Sequence, residues 1–480
     1  MLPSLQDTNG FFIGGTWVAG SGRMKIDLVN PATEEKIGSV AVATSEDVNR
    51  AVAAAKAAFP FYSRTSKAER LELLRAIRAI FERRREEFAQ ALTLQMGAPI
   101  SLARGAQTWL GGAHLDETIA GLERIQLEEM RDTTLLYREP VGVAALITPW
   151  NWPINQVVTK TAGALAAGCT MVLKPSEVAP LDAMLFADVL KEAGVPDGVF
   201  NLVNGDGPNT GAALCAHPDV DVISFTGSTR AGIQIAKAGA DTVKRVHQEL
   251  GGKSANLILD DADLEAAVTA GVHNCFSNAG QSCSVSTRML VPRTRMGDAA
   301  EIARGVADGY VVGDPSKEET TMGPIVNRTQ FQQIQRYIQI GIDEGARLVA
   351  GGPGRPTGLN RGWFVKPTVF ADVDNGMRIA QEEIFGPVLC IIPHDGDDDA
   401  VGVANDSIYG LGGVVQSSDP ARALRVAKQV RSGHVYINHQ AGAYAAAPFG
   451  GLKQSGNGYE HADYGIEAFL HTKSILGVEA

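Results

Sequence analysis

The sequence predicts an α/β protein with two parallel-sheet domains. The chain has 480 residues, more than one compact core usually accommodates, so two or three domains are expected. From residue 141 onward, short apolar runs alternate with helical patterns. Such alternation indicates parallel strands joined by crossover helices, because parallel strands are buried on both faces. A second series of the same kind begins near Gly251.

The composition is typical of a globular protein of a reducing compartment. Hydrophobic residues make up 45% of the chain, and 43 basic against 54 acidic residues give a net charge of −11. An acidic chain without a basic block has little with which to neutralise phosphate, so neither nucleic acid nor a membrane is an expected partner. Five cysteines are too few for a disulfide scaffold. No secretory signal or membrane helix is visible, so a cytoplasmic protein is expected.

The predicted elements follow in order along the chain. Short strands over 11–15, 16–18 and 26–29 precede two helices, over 46–59 and 66–95, and Gly97 and Pro99 end the second. The first parallel series has helices near 154–167 and 180–193 and strands over 141–147, 170–173, 200–203, 220–225 and, as a fifth candidate, 244–247. The second series runs to about residue 450, with strand candidates over 255–259, 285–291, 347–350, 388–392, 412–415 and 434–437.

Ligands of open parallel sheets bind beyond the carboxyl ends of the strands. This rule places four loops at the ligand edge of the first sheet: 148–155, 174–177, 204–207 and 227–232.

Cys283 lies in Gly280-Gln-Ser-Cys283-Ser-Val, between a helical stretch and an apolar strand. A cysteine at such a junction can be exposed, and backbone N–H groups there can favour the thiolate, which is the nucleophilic form. A buried structural cysteine is the alternative, since most free cysteines are buried. The local sequence leaves both interpretations open. The other four cysteines lie in apolar or helical contexts and are assigned to packing.

Glu249 and Asn151 are the polar candidates for chemistry. Glu249 follows an apolar strand and precedes two glycines, where burial can raise the pKa of a carboxyl that acts as a general base. Asn151 lies among two tryptophans and two prolines, which could form a rigid loop that orients its amide toward an oxyanion. A surface glutamate and a helix-capping asparagine are the alternatives.

Lys174 and Glu177, in Lys174-Pro-Ser-Glu177, could hold the hydroxyls of a ribose, although a solvated turn at the strand end is an equal alternative. The loop that begins at Gly205 is one residue too long for the dinucleotide fingerprint. The loop that begins at Gly227 follows a strand and opens a helix, where free N–H groups suit a pyrophosphate. No pattern of metal ligands is present, so no metal is expected.

Seven motifs occur in an order that resembles the NAD(P)-dependent aldehyde dehydrogenase superfamily. The resemblance covers nearly the whole chain and rests on Thr148-Pro-Trp-Asn-Trp-Pro, Lys174-Pro-Ser-Glu, Phe225-Thr-Gly-Ser-Thr, Glu249-Leu-Gly-Gly-Lys, Gly280-Gln-Ser-Cys, Glu382-Glu-Ile-Phe-Gly-Pro387 and Pro448-Phe-Gly-Gly-Leu-Lys-Gln-Ser-Gly456.

The resemblance implies an aldehyde dehydrogenase-like fold with two Rossmann-like domains and a small β oligomerisation element. The cofactor domain would comprise residues 1–120 and 140–250, the catalytic domain 251–455, and the oligomerisation element 121–139 and 456–480. In this family an edge strand, here 468–478, pairs with a neighbouring subunit, so a homodimer or homotetramer is expected. An unpaired edge strand would otherwise be exposed.

The resemblance also implies a mechanism. Cys283 would attack the aldehyde while the Asn151 amide and the Cys283 N–H hold the oxyanion, and Glu249 would activate the water that releases the acid. Lys174 joins these as the fourth catalytic candidate. The presence of Glu249 favours hydrolysis over transfer to coenzyme A. The alternatives are an NADP-preferring semialdehyde dehydrogenase and a non-catalytic relative, which the intact catalytic set disfavours.

The residues implied for the cofactor surround the strand ends. Glu177 would repel a 2′-phosphate, which favours NAD and leaves NADP as the second choice. The full set is Ile147, Thr148, Pro149, Trp150, Lys174, Ser176, Glu177, Gly205, Phe225, Gly227, Ser228, Glu249, Leu250, Gly251, Cys283, Glu383 and Phe385.

The positions implied for the substrate tunnel form an aromatic funnel with hydroxyl and amide groups. They contain no arginine, so a free carboxylate on the aldehyde is disfavoured and a medium or aromatic, partly polar aldehyde fits better. The set is Trp152, Asn155, Thr159, Ser282, Ser284, Tyr444 and Phe449. Tyr459 stands where many relatives carry arginine.

Overall fold

The computed structural model of the protein describes residues 10–438 and 445–478. Its strands are β1 (Gly10–Ile13), β2 (Thr16–Ala19), β3 (Lys25–Asn30), β4 (Glu35–Ala41), β5 (Glu128–Arg131), β6 (Thr134–Pro140), β7 (Val143–Ile147), β8 (Thr170–Lys174), β9 (Phe200–Leu202), β10 (Val222–Thr226), β11 (Arg245–Glu249), β12 (Ala255–Ile258), β13 (Arg288–Pro292), β14 (Arg347–Ala350), β15 (Thr368–Ala371), β16 (Val388–His394), β17 (Gly412–Gln416), β18 (His434–Ile437), β19 (Gly456–Asn457) and β20 (Leu470–Leu476).

The α-helices lie between these strands. They are α1 (Ser45–Tyr62), α2 (Lys67–Arg83), α3 (Arg85–Met96), α4 (Ile100–Leu102), α5 (Thr108–Arg124), α6 (Pro153–Ala167), α7 (Leu181–Glu192), α8 (Ala212–Ala216), α9 (Thr229–Ala240), α10 (Leu264–Phe276), α11 (Met296–Asp308), α12 (Arg328–Asp343), α13 (Arg378–Gln381), α14 (Asp397–Asn405), α15 (Pro420–Ala427) and α16 (Ala462–Glu467).

The first large sheet has the strand order β19-β11-β10-β7-β8-β9-β1-β2. The strands from β11 to β9 are parallel, whereas β19 and β1 pair antiparallel at the two flanks. The chain leaves β7 toward β8 on one side and later returns to β10 on the other. A crevice therefore opens between the carboxyl ends of β7 and β10, which is where such sheets bind ligands.

The second large sheet has the order β14-β15-β16-β13-β12-β17-β18. Its strands are parallel except for β14, which pairs antiparallel with β15. Strands β12, β13, β15 and β17 are wholly buried, because helices cover both faces of the sheet. This burial explains why their sequences are apolar runs rather than alternating patterns.

Two smaller sheets complete the fold. Strands β20, β6 and β5 form an antiparallel sheet, with seven residue pairs between β20 and β6, and β3 pairs with β4. Beyond its first residue, Leu470, every side chain of β20 is exposed, and Leu476 is 78% exposed.

The predicted α/β class is confirmed, and most predicted elements lie where the sequence placed them. The prediction of one helix over 66–95 is wrong. Arg84 has φ −101° and ψ 8°, and its N–H is shared between the carbonyls of Ile80 and Phe81, so α2 ends there and α3 begins at the next residue. The strands β4, β15 and β19 were not predicted. The predicted domain boundaries remain a prediction.

No helix among the described residues has both the length and the hydropathy needed to cross a bilayer. The same residues contain no cluster of three or more histidine, cysteine, aspartate or glutamate side chains that could hold a metal ion.

Candidate active site

A cavity of about 580 Å³ lies beyond the carboxyl end of β10. This volume suits a small organic molecule. Seven residues expected from the sequence line it: Asn151, Trp152, Asn155, Ser282, Cys283, Ser284 and Phe449. The structure thus brings together loops that lie far apart in the sequence.

Cys283 is placed by a sharp turn between α10 and β13. Asn278, Ala279 and Gly280 are all left-handed, with φ of 53°, 56° and 70°. A side chain on Gly280 would meet the carbonyl of Gly386 at 2.2 Å, so only glycine fits there. All five cysteines lie in the described chain, and Cys283 alone is not fully buried. The alternative of a structural cysteine is therefore disfavoured.

An amide network holds this turn against the loop of Asn151. Asn278 Nδ2 donates to the carbonyls of Asn151, at 2.8 Å, and of Gln281, at 3.2 Å. Gln107 Nε2 donates in turn to Asn278 Oδ1 at 3.2 Å. The network fixes the two loops relative to each other, because its bonds to Asn151 and Gln107 join different elements.

Asn151 does not cap a helix. Its Nδ2 donates to the carbonyl of Gln281, two residues before the cysteine, at 3.1 Å. The residue at the N-cap of α6 is Trp152, which makes no side-chain cap. A primary amide has two N–H groups, so one remains to donate into the cavity.

Burial raises the pKa of the Cys283 thiol, and the nearby charges of Glu383 and Glu249 raise it further. The Cys283 backbone N–H acts in the opposite direction, but its effect is smaller. The Cys283 N–H therefore favours the thiolate, as expected, but burial and the two carboxyl groups outweigh it.

Glu249 is the last residue of β11 and is 3% exposed. Neither carboxyl oxygen has a hydrogen-bond partner among the described residues. Burial therefore raises the pKa of this carboxyl well above its ordinary value, and the charge of Glu460 adds to the effect. A proton acceptor of this kind is stronger than a solvated glutamate.

A buried ion pair lies beside Glu249. Lys160 Nζ contacts Glu460 Oε1 and donates to Ser224 Oγ at 3.0 Å. Glu460 raises the pKa of Glu249 and Lys160 lowers it, so the effects of the pair partly cancel. Glu460 Oε2 has no described hydrogen-bond partner.

The crevice between β7 and β10 carries unpartnered polar groups. The hydroxyls of Thr148, which follows β7, and Thr226, which ends β10, are buried without a described hydrogen-bond partner. Helix α9 begins beside them, with Ser228 as its N-cap. A side chain on Gly227 would meet the ring of Phe225 at 2.5 Å. The donors and the helix N-terminus fit an anionic, hydroxyl-bearing ligand such as a dinucleotide.

Lys174 is buried at the carboxyl end of β8. Its Nζ donates to the carbonyls of Gly205, at 2.6 Å, and Pro175, at 2.9 Å, and lies 3.3 Å from Glu177 Oε2. Glu177 is partly exposed, so it can reach a ligand in the crevice. Gly205 has φ 153°, and a side chain there would collide with Thr210.

Glu383 lies beside the two glycines that follow β11 and close enough to Cys283 to affect its pKa. Its Oε1 accepts from the N–H of Gly252 at 2.9 Å, and a side chain on Gly251 would meet its carboxyl. Burial raises the pKa of Glu383 to about 7. Trp150 and Phe385 pack edge to face, with ring centroids 5.3 Å apart.

The remaining predicted residues have supporting positions. Thr159 does not line the cavity; its hydroxyl lies 3.3 Å from Asn155 Oδ1, one helical turn away. Ser176 accepts from the N–H of Val178. Tyr444 lies outside the described residues. Ile147, Pro149 and Leu250 lie at strand ends around the crevice.

Sequence reasoning missed four histidines in the cavity wall: His114, His273, His434 and His461. His114, His434 and His461 belong to α5, β18 and the turn before α16, and His273 belongs to α10. No local motif marks them, because the cavity forms only when these elements meet.

The comparisons with known proteins agree with this geometry. The profile of the aldehyde dehydrogenase family matches residues 17–475. The chain is 51% identical over 476 residues to a 3-succinoylsemialdehyde-pyridine dehydrogenase of Pseudomonas sp., covering 99% of this chain and 100% of the relative. The protein belongs to the aldehyde dehydrogenase family.

Two solved structures have the same fold. One is a cysteine-to-alanine mutant of an aldehyde dehydrogenase from Pseudomonas syringae, in complex with NAD+ and octanal; it is 51% identical, with a TM-score of 0.97 over 98% of this chain and 97% of that chain. The other is an aldehyde dehydrogenase of Mycobacterium tuberculosis complexed with NAD+, which is 41% identical, with a TM-score of 0.96 over 98% of each chain.

Proposed function

We propose that the protein oxidises an aldehyde to its carboxylic acid with NAD+ through a covalent thioester on Cys283. The observation that carries the proposal is one cavity lined by Cys283 and Asn151, with the unpartnered carboxyl of Glu249 near enough to affect the pKa of the thiol. The aldehyde chemistry agrees with the family to which the chain belongs.

Cys283 supplies the nucleophile. Its thiol loses a proton to water in the cavity, and the sulfur then bonds to the aldehyde carbon to give a thiohemiacetal. The free N–H of the Asn151 amide and the backbone N–H of Cys283 stabilise the oxyanion that forms. Because the amide network holds the loop of Asn151 against the turn before Cys283, little reorganisation is needed during the reaction.

Glu249 completes the reaction by releasing the acid. When bound, NAD+ accepts the hydride that converts the thiohemiacetal into a thioester. Glu249 then takes a proton from water, the resulting hydroxide attacks the thioester carbon, and the Cys283 thiolate leaves. Two covalent steps replace one difficult step. The raised pKa of Glu249 suits it to this task.

NAD+ would bind in the crevice between β7 and β10. Thr148 and the N-terminus of α9 would face the pyrophosphate, and Lys174 with Glu177 would face the adenosine ribose. Glu383 and Phe385 would lie on the nicotinamide-ribose side. The carboxylate of Glu177 disfavours the 2′-phosphate of NADP+ by like-charge repulsion.

The assembly we propose is a homodimer or homotetramer formed through the edge of β20. That strand pairs with β6 on one side only, and its side chains beyond Leu470 are exposed. An exposed edge with a leucine at its end is a template for pairing with another chain. We also propose a cytoplasmic location, which agrees with the small number of cysteines in the chain.

The test is NADH formation with a panel of aldehydes for wild type and Cys283→Ser. We expect absorbance at the NADH wavelength to increase only with the wild type, because a serine hydroxyl is a far weaker nucleophile than a thiolate. Equal rates for the two proteins would remove the assigned nucleophile. The other four cysteines are buried and make poor controls, so Ser418→Ala, at an exposed site, serves instead.

A further inference from the structure

Asn274 presents an amide of fixed orientation to the cavity. It belongs to α10, lines the cavity and is only 9% exposed. Its Oδ1 accepts from the backbone N–H of Ser286 at 2.9 Å. Because a backbone N–H can only donate, the atom that faces Ser286 is the oxygen, and Nδ2 faces away from it. The orientation of the amide is therefore set by the backbone just beyond Cys283.

The two N–H groups on Nδ2 of Asn274 are free to donate. Nδ2 has no hydrogen-bond partner among the described residues, yet it is not one of the fully enclosed polar atoms, so it is open to the cavity. A ligand that displaces water from this nitrogen leaves the donors unpaired unless it supplies an acceptor. The amide of Asn274 therefore favours a ligand with an acceptor at this point.

A hydroxyl lies next to this amide on the same side of α10. Ser277 is the C-cap residue of the helix and follows Asn274 by three positions, a spacing that makes the two side chains neighbours. Ser277 also lines the cavity and is half-buried. Within the described chain its Oγ has no hydrogen-bond partner, and it is not fully enclosed. A second free donor thus adjoins the first.

The remaining wall of the cavity offers apolar surface and no strong charge. The described residues that line it include no arginine, lysine, aspartate or glutamate, and Trp109, Leu110 and Phe449 contribute apolar side chains. A carboxylate on the ligand would have no such cation to pair with. A plain alkyl tail would suit the apolar side chains but would leave the donors of Asn274 and Ser277 without an acceptor.

We propose that Asn274 and Ser277 form a donor subsite that selects aldehydes with an ether or hydroxyl oxygen in the tail. Such an oxygen is a neutral acceptor, and the carbon atoms on either side of it can pack against the apolar side chains of the cavity. The subsite rests on the proposed function, since it assigns the tail of the same aldehyde that Cys283 attacks.

The test moves one oxygen along an unbranched tail. Heptanal is compared with 3-propoxypropanal, 4-ethoxybutanal and 5-methoxypentanal, in which oxygen replaces one CH2 of heptanal at successive positions. The four aldehydes have nearly the same shape, and none can cyclise, because none carries a hydroxyl. Dissociation constants are measured by calorimetry with the Cys283→Ala protein and NAD+, so the result does not depend on turnover.

We expect at least one of the ether aldehydes to bind more tightly than heptanal by about two- to tenfold, which corresponds to one neutral hydrogen bond. A cavity without free donors would favour heptanal, because an ether oxygen would lose its hydrogen bonds to water and gain none.

Substitutions in the Cys283→Ala protein assign the preference to the subsite. Asn274→Leu keeps a similar volume without a donor and should shift the preference toward heptanal. Ser277→Ala should act in the same direction, and it leaves the bond between Asn274 and Ser286 in place. Asn360→Leu, at an exposed site outside the cavity, should leave the preference unchanged.

The proposal is overturned if no ether aldehyde binds at least about twofold more tightly than heptanal, or if Asn274→Leu and Ser277→Ala both leave the ratio within about twofold of its starting value. Thermal unfolding of each variant shows whether the fold is retained, and Ser277→Ala decides if Asn274→Leu does not fold. Failure of the proposed function would be seen separately, as an absence of NADH formation by wild type with any of the four aldehydes.

Discussion

Replacing Glu249 with glutamine should separate the two covalent steps. A glutamine amide at this position cannot accept a proton from water, so release of the acid should slow while thioester formation continues. General-base catalysis contributes about 10²- to 10⁴-fold, or roughly 3–5 kcal/mol of barrier, and the buried, unpartnered carboxyl of Glu249 is placed to supply it. The substitution also removes a negative charge that raises the pKa of the Cys283 thiol, so the first step should not be slowed.

The assay is stopped-flow absorbance of NADH with substrate in excess. We expect a burst close to one NADH per active site, followed by a steady rate reduced by about 10²-fold or more. A rise in the alkylation rate of Cys283 by iodoacetamide would confirm the lowered pKa of the thiol. Glu301→Gln, at an exposed site on α11, is the matched control. A steady rate close to that of wild type would refute the assignment of the base.

Three other substitutions test separate parts of the site. Asn151→Ala should lower kcat by about 10²- to 10³-fold with a smaller change in KM, because one oxyanion donor is lost; an unchanged kcat in steady-state assays would exclude this role. Glu177→Ser should raise kcat/KM for NADP+, and no gain would remove the repulsion argument. Glu249 acts as a base only when it is ionised, so release of the acid should be lost as the pH falls through the raised pKa of Glu249. Glu460→Gln removes a charge that raises the pKa of Glu249, so the acid limb of the pH–rate profile should move to lower pH. The substitution also leaves Lys160 unpaired, which should lower the stability of the protein by about 3–5 kcal/mol. An acid limb at the wild-type pH would contradict the coupling between Glu460 and Glu249.

The buried parallel strands other than β15 were predictable from the sequence because burial on both faces makes each a continuous apolar run. β7 and β8 are wholly buried and lie where the apolar runs placed them. β4 was missed because only its last two residues are buried and it carries polar residues such as Glu35 and Lys36. The helix break at Arg84 was missed because the surrounding arginines and glutamates are good helix formers, so local propensity carries no signal of it.

The candidate site was predictable only in part. Cys283, Glu249 and Asn151 each lie near the end or the start of a strand, and their surrounding motifs resemble a known family. The raised pKa of the thiol was not predictable, because it depends first on burial in the folded chain and then on the charge of Glu383, which lies far along the chain. The grouping of His114, His434 and His461 around Phe449 was equally hidden, since these rings are brought together only by the packing of distant elements.

The most direct test of the covalent mechanism is peptide mass spectrometry of the Glu249→Gln protein, quenched in acid after reaction with an aldehyde and NAD+. The account predicts an added acyl group on the peptide that contains Cys283 and on no other cysteine peptide. An unmodified Cys283 peptide during the burst of NADH, or an acyl group on a different residue, would contradict it.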